Sequence, residues 1–217
     1  MKLLNVFYFD TLFNQEEEYK MTKLPIIAID FDDVIGAFNQ AYIAHHNQFY
    51  GSPLITFQDI HTFDMTVLYG VDEETMIGRL RKFCHNHHQE ISPYAGVDSV
   101  LPMLSQHFAI HIVTSRCESL TEVTKSWLKD NELLEVIDGF HFANGYGTLY
   151  PERKRTKLAI CLELNAVALI EDAPKNAEQV ASGGIPVFMP NRPWNAGFTH
   201  EKVRRYEAWD QVIALLS

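Results

Sequence analysis

The chain has 217 residues, 47% of them hydrophobic, so it can bury a substantial core and is not a disordered polymer. Its formal net charge of −10 argues against bulk attraction to polymeric nucleic acid or to an anionic membrane surface. The three cysteines have no zinc-type spacing, and no apolar run reaches the roughly 18 residues of a membrane helix, so we expect a cytoplasmic protein.

Residues 1–23 precede the first clear strand and are interpreted as an N-terminal extension. Their apolar start lacks a small-residue cleavage site and is followed by three glutamates, which argues against a signal peptide. Met21 would serve as a natural start directly before the strand. We therefore expect residues 1–20 to contribute little to the fold.

The segment 26–29 is an unbroken aliphatic run bounded by a proline and a carboxylate, which predicts a buried central strand of a parallel sheet. Asp30, Asp32 and Asp33 follow it. Side chains at i and i+2 of an extended chain point the same way, so Asp30 and Asp32 are expected to share a ligand while Asp33 faces elsewhere. Three acids in four residues need a cation or a basic partner, which favours a site over a simple turn or helix cap.

Residues 36–92 are predicted to form a helical cap inserted after the first strand. Apolar and aromatic residues recur at helical spacing over 37–50, and a second helix is predicted over 71–89. An insertion of more than fifty residues is too long for an ordinary strand-to-helix connection. A lid over the core is therefore the better interpretation.

The segments 24–35 and 93–217 are predicted to form an α/β core with a doubly wound, parallel, five-stranded sheet, because strands alternate with helices along them. The further strands are predicted over 108–113, 140–143, 166–170 and 185–189, with helices over 96–107, 118–130, 154–164, 174–182 and 209–216.

Polar side chains follow three of these strands where each one ends. Asp30 and Asp32 follow the first, Thr114 and Ser115 the second, and the Glu171–Asp172 pair the fourth. In an open parallel sheet, ligands bind at the carboxyl ends of the strands, where the strand order reverses. Oxygen-only acidic ligands favour Mg²⁺, while hydroxyl groups and a lysine suit phosphate oxygens.

These residues permit one particular reaction. A carboxylate can attack phosphorus to form an aspartyl-phosphate, and a second carboxylate can protonate the leaving oxygen and then activate water. The sequence therefore predicts phosphate-ester hydrolysis at the carboxyl edge of the sheet.

The order of four motifs resembles the haloacid dehalogenase (HAD) superfamily of phosphatases. The Asp-x-Asp motif is similar to Asp30-Phe31-Asp32, and the hydroxyl residue at a strand end is similar to Thr114. The lysine motif matches Lys157, and the acidic pair after an apolar strand matches Glu171-Asp172. The resemblance implies a Rossmann-like core with a helical cap and a Mg²⁺ cofactor.

By this resemblance, Asp30 would be the nucleophile and a Mg²⁺ ligand. Asp32 would be the general acid/base and would bind the metal through its backbone carbonyl, and Asp172 would be the further metal carboxylate. Glu171 would not bind the metal directly but would contact the residues that do. The transferring phosphoryl group would be held by Thr114, together with the Ser115 backbone, and by Lys157.

Within the superfamily, the segments 113–116, 169–172 and 193–195 resemble the 5'(3')-deoxyribonucleotidase-like branch. In that branch an aromatic residue six positions after the second Asp stacks on the nucleobase, and Phe38 occupies this position. Packing inside the cap is an equal alternative for Phe38. The implied substrate is a small phosphate ester such as a nucleoside monophosphate, and a homodimer is compatible with this interpretation.

Two positions depart from the superfamily pattern: Asp33 stands where glycine is usual, and Glu171 replaces the first Asp of the acidic pair. Neither change removes a required group. Two alternatives stay open, a phosphatase for sugar phosphates or another metabolite, and a non-catalytic, receiver-like domain. Receiver domains lack such a cap, and their phospho-accepting Asp ends a later strand, whereas the third strand here ends in Ala143-Asn144.

Two groups of residues are set aside. The segment 84–88, which contains Cys84 and three histidines, and the pair His45-His46 are interpreted as solvated helix surfaces rather than metal ligands. Among the basic residues of 153–157, only Lys157 is expected to enter the site, with the others solvated or near the substrate entrance. Arg116 is compatible with either a substrate contact or a helix cap.

Overall fold

The computed structural model describes residues 24–62, 64–145 and 153–216, so the predicted extension 1–23 lies outside the described residues. Six parallel strands form one sheet in the order β3-β2-β1-β4-β5-β6. The strands are β1 (Ile26–Ile29), β2 (Ala109–Thr114), β3 (Gly139–Phe142), β4 (Ala168–Ile170), β5 (Val187–Pro190) and β6 (Val203–Tyr206).

Eight α-helices are described, in the order that strand and helix periodicity predicts for an α/β chain. They are α1 (Phe38–Phe49), α2 (Met65–Tyr69), α3 (Glu73–Asn86), α4 (Val97–Leu104), α5 (Thr121–Asp130), α6 (Lys157–Leu164), α7 (Pro174–Ser182) and α8 (Asp210–Leu216). None of the helices in these described ranges is both long enough and apolar enough to cross a membrane.

The predicted α/β class is confirmed, but the sheet has six strands rather than five. The additional strand, β6, has the sequence Val203-Arg204-Arg205-Tyr206 and lies at the edge of the described sheet, where it pairs with β5. Two consecutive arginines interrupt the apolar pattern that identifies the buried strands. An edge strand tolerates such charges because one of its sides is free of a neighbouring strand.

β1 lies between β2 and β4 and is buried on both faces. Ile27 and Ile29 pack into the larger core cluster, and Ile26 and Ala28 pack into the smaller cluster on the opposite face. This two-residue alternation explains why the strand is apolar at every position. The chain adds β2 and β3 on one side of β1 and then β4 to β6 on the other, so the strand order reverses at β1.

Helices α1 to α3 form the insertion between β1 and α4, and the chain leaves and re-enters the core at adjacent points. Ala37 N donates to Ser92 O at 2.8 Å, and Tyr94 N donates to Ile35 O at 2.9 Å. A Cβ on Gly36 would lie only 2.9 Å from Ile91 Cγ2, so the crossing of the two connections leaves little space for a side chain. The helical insertion is therefore joined to the core by two paired connections.

Candidate active site

The carboxyl end of β1 carries Asp30, which is buried beneath the insertion. Its backbone N–H continues the sheet by donating to Ile170 O at 2.9 Å. One carboxylate oxygen accepts from Phe31 N at 2.8 Å, and the other lies 2.8 Å from the ammonium nitrogen of Lys157. The strand end therefore fixes both oxygens of this carboxylate.

Lys157 reaches the site from the first turn of α6, a helix that begins where the Thr156 hydroxyl accepts from Ala159 N. Its Nζ lies 2.6 Å from a Glu171 carboxylate oxygen as well as close to Asp30. Burial acts to lower the pKa of Lys157, but the two carboxylates outweigh it and the pKa is raised. The lysine is therefore a fixed cation at the bottom of the site.

The acidic pair after β4 has two different environments. Glu171 is fully buried, and its second oxygen accepts from Ala173 N at 2.9 Å. Asp172 accepts from the Trp194 indole N–H at 2.8 Å, while Asn195 donates to the Asp172 backbone carbonyl, also at 2.8 Å. A segment that follows β5 thus orients Asp172.

Asp30, Glu171 and Asp172 place carboxylate oxygens within 4.8 Å of one another, a separation compatible with ligands of one cation. Burial raises the pKa of Asp30 to about 7, with Lys157 opposing that rise, and burial also raises the pKa of Asp172. Three buried carboxylates face one ammonium group, which leaves an excess of negative charge. A hard divalent cation suits this oxygen-only donor set and would compensate the excess.

The Asp32 side chain does not join this cluster. Arg116 donates two hydrogen bonds to the Asp32 carboxylate, from Nε at 2.9 Å and from Nη2 at 2.7 Å. The guanidinium also donates to the Thr124 hydroxyl and lies over the Phe31 ring at 4.1 Å. Asp32 still lines the same cavity as Asp30. Asp32 is expected to bind the metal through its backbone carbonyl rather than its side chain, and this role stays a prediction.

Asp33 has a positive φ of 58°, in the left-handed region that glycine adopts without strain. This backbone conformation accounts for the glycine expected at the position, and aspartate tolerates it better than most residues do. The carboxylate accepts from Asn39 N at 3.1 Å and from the Tyr94 hydroxyl at 3.2 Å. The side chain thus contacts the start of α1 and the returning connection, and burial raises its pKa to about 8.

Thr114 and Ser115 lie at the end of β2 as predicted, but they are placed differently. Ser115 lines the cavity. Thr114 is fully buried, and its hydroxyl accepts from Arg116 N at 3.2 Å. Of these two hydroxyl residues, Ser115 is therefore the one that lines the cavity.

The cavity has a volume of about 390 Å³ and lies between the sheet edge and the insertion. Phe38 lines it, is half-buried, and also packs edge-on against Phe83 with ring centroids 5.6 Å apart. Both interpretations of Phe38 therefore stay open. Basic residues also line the cavity, namely Arg81, Lys154, Arg155 and Lys175.

Of the histidines set aside, His85 is exposed at the end of α3, as expected. His45 and His46 are buried in α1, so the interpretation of this pair as a solvated surface is wrong. Their environment is aromatic: both pack against neighbouring rings.

Sequence reasoning missed three contacts of the site, those that Arg116, Trp194 and Asn195 make. Arg116 was recognised as ambiguous, and its position just after β2 is the signal that places it at the sheet edge. Trp194 and Asn195 follow β5 in the same way, but an indole and an amide carry no charge that would mark them as partners of Asp172.

Two curated relatives match most of the chain. A nucleotidase of Clostridium acetobutylicum is 26% identical over 192 residues, covering 88% of this chain and 92% of the relative. A protein of Halalkalibacterium halodurans that is provisionally named a nucleotidase is 28% identical over 165 residues, covering 74% and 77%. No protein-family model matches the sequence.

Solved structures share the architecture at low sequence identity. A haloacid dehalogenase-like hydrolase of Streptococcus pneumoniae has a TM-score of 0.62 at 14% identity, covering 91% of this chain and all of that one. A protein of Lactobacillus plantarum that is provisionally named a phosphoglycolate phosphatase has a TM-score of 0.63 at 15% identity, covering 89% and 99%. The chain therefore has the fold of the HAD superfamily, which confirms at the level of the fold the resemblance drawn from the four motifs.

Proposed function

We propose that the protein is a Mg²⁺-dependent phosphomonoester hydrolase that works through an aspartyl-phosphate on Asp30. The observation that supports this most directly is the convergence of Asp30, Lys157, Glu171 and Asp172 at the point where the strand order reverses. A nucleophilic carboxylate, a fixed cation and a set of oxygen ligands meet there at the edge of one cavity. Phosphoryl transfer through an aspartyl-phosphate uses these three components.

In the first step, an Asp30 carboxylate oxygen attacks phosphorus and the bond from phosphorus to the ester oxygen breaks. Asp32 gives its proton to the departing oxygen. Because both Asp32 oxygens accept from Arg116 in this structure, one of them has to turn toward the leaving group for this transfer. Arg116 would thus act as a positioning residue for the acid.

In the second step, Asp32 takes a proton from water, and the water oxygen attacks phosphorus. The bond to Asp30 breaks, its carboxylate is regenerated, and inorganic phosphate leaves. Ser115 and Lys157, which line the cavity, would bind the phosphoryl oxygens, and Thr114 would support the end of β2.

Asp30, Asp172 and the Asp32 backbone carbonyl would hold Mg²⁺, with Glu171 close to them. The bound ion supplies charge stabilisation for the phosphoryl oxygens. Glu171 holds Lys157 in place and belongs to the same acidic cluster, so it either orients the lysine or adds a carboxylate to the ion's surroundings.

Residues 36–92 would act as a cap that selects the substrate and excludes water, with residues 24–35 and 93–217 as the catalytic core. Phe38 and the basic residues around the cavity suit a nucleoside monophosphate, with the ring against the base. The nucleotidase names of the two curated relatives support this substrate class. A small sugar or metabolite phosphate is the second candidate, supported by the phosphoglycolate phosphatase name of one structural neighbour.

A panel of nucleoside monophosphates, sugar phosphates and small phosphate acids, assayed with purified protein and Mg²⁺ for released phosphate, tests the proposal. We expect turnover with the highest kcat/KM on nucleoside monophosphates. A preference for another ester would reassign the substrate. Stable phosphorylation of the protein without turnover would instead favour the receiver-like alternative.

A further inference from the structure

Three residues of the insertion, His45, His87 and Glu90, form a second group of side chains that could bind a metal ion. His45 lies on α1, His87 is the residue directly after α3, and Glu90 lies in the short 3-10 turn that follows. One donor atom from each of the three lies within 4.8 Å of the others. None of the three lines the active-site cavity, so the cluster is separate from the proposed catalytic site.

Hydrogen bonding within the cluster is incomplete. His87 Nδ1 is 2.8 Å from one Glu90 oxygen, which forms an ordinary hydrogen bond. His45 Nδ1 is 3.9 Å from the other oxygen, and it is a buried nitrogen without a hydrogen-bond partner among the described residues. The His45 side chain is only 4% exposed, so water does not readily satisfy this atom. This nitrogen and the nearby carboxylate oxygen are too far apart to form a hydrogen bond. An additional atom bound between them would satisfy the buried nitrogen.

We infer that His45, His87 and Glu90 form a binding site for a transition-metal ion such as Zn²⁺. Two imidazoles and one carboxylate are the donor set that Zn²⁺ accepts, and three protein ligands leave one position for water. The site differs in kind from the oxygen-only cluster at Asp30, which suits a hard cation. Glu90 and His87 are partly exposed, at 41% and 25% of their side chains, so an ion can enter from solvent.

The position of the cluster indicates what the ion would do. His45 belongs to the first helix of the insertion, whereas His87 and Glu90 belong to the end of its last helix and to the turn that leads back to the core. A metal ion between them would link α1 to the turn after α3, close to the returning connection at Ile91. It would therefore stabilise the insertion without taking part in the reaction.

Titration of the metal-free full chain, without a polyhistidine tag, with Zn²⁺ against a chromophoric chelator tests this inference. With excess Mg²⁺ present to occupy the Asp30 cluster, we expect one Zn²⁺ site with a Kd of about 1 μM or tighter, and a rise in Tm of roughly 5–10 °C at about 100 times that concentration. His87→Gln and Glu90→Gln should each weaken this site at least about tenfold and remove the Tm rise. Both residues are at the surface, so these variants should keep the wild-type circular dichroism spectrum.

His85→Gln is the matched control, because His85 lies in the same segment, is exposed, and has no place in the cluster. It should bind Zn²⁺ as the wild type does. A wild type without a site of that affinity, equal binding by His87→Gln, or an equal loss in His85→Gln would overturn the inference. The readouts are binding and thermal stability, so none of these outcomes depends on whether the protein is a phosphatase.

Discussion

Asp33 and Arg116 are the residues whose roles change most once the structure is known. Asp33 uses a left-handed backbone at φ 58° and connects the end of β1 to the insertion through Asn39 and Tyr94. Arg116, left ambiguous by the sequence, holds the proposed acid Asp32 through two hydrogen bonds. Both residues therefore contact neighbours of Asp30, the proposed nucleophile, rather than Asp30 itself.

The variants Asp33→Gly and Asp33→Ala separate two contributions of Asp33 to stability, its side-chain hydrogen bonds and its left-handed backbone conformation. Both variants lose the hydrogen bonds to Asn39 and Tyr94, but only alanine carries a Cβ into the left-handed region, at a cost of about 1–2 kcal/mol. We expect the glycine variant to be the more stable of the two by about that amount in urea unfolding. An alanine variant at least as stable as the glycine variant would contradict the assigned backbone conformation.

Arg116→Lys keeps the charge but loses the bidentate hydrogen bonding to Asp32. If these two hydrogen bonds position the acid, kcat should fall by about tenfold or more with a smaller change in KM, and the pH dependence of kcat should shift. Arg204→Lys is the matched control, because Arg204 is an exposed residue of the edge strand β6. Equal kinetics for wild type and Arg116→Lys would remove Arg116 from the mechanism.

At the scale of elements, β2 and β3 are joined by a pair of stacked histidines as well as by their backbone. His111 Nδ1 and His141 Nε2 are 2.9 Å apart, with ring centroids 5.2 Å apart. Burial and the neighbouring His111 lower the pKa of His141 below its ordinary value of 6.5. The fold therefore favours the neutral form of His141.

A lowered folded-state pKa means that the unfolded chain binds the proton more readily. Stability from His141 should be present above pH 6.5 and be lost as the pH falls below that value toward the folded-state pKa. Urea unfolding of wild type and His141→Gln between pH 7.5 and pH 5.5 measures this contribution, and we expect a shallower fall in the variant. Identical slopes for wild type and His141→Gln would refute the assignment.

At the scale of the whole molecule, the sheet and the insertion enclose a site with more buried negative than positive charge. Removal of divalent cations should therefore abolish phosphatase activity, and added Mg²⁺ should restore it. Mg²⁺ should also raise the Tm of the wild type but not of Asp172→Asn, because the variant lacks one of the carboxylates that the ion would bind. Undiminished turnover in the presence of excess chelator would contradict the metal site.

The sequence predicts those parts of this molecule in which a local residue pattern determines the structure. The aliphatic run of β1 and the acids at the ends of β1 and β4 were placed correctly because strand ends in a parallel sheet share one edge. The Asp32–Arg116 pair spans 84 residues and the Asp172–Trp194 contact spans 22, so no local spacing reveals either. β6 was missed because an edge strand needs no continuous apolar run.

The most direct test of the central claim is the turnover of Asp30→Asn on the preferred phosphate ester, with Mg²⁺ present and the fold checked by circular dichroism. If Asp30 forms the bond to phosphorus, the amide has no nucleophilic oxygen to replace it, and kcat should fall at least about a thousandfold. A folded variant that retains turnover within about tenfold of the wild type would show that another group attacks phosphorus.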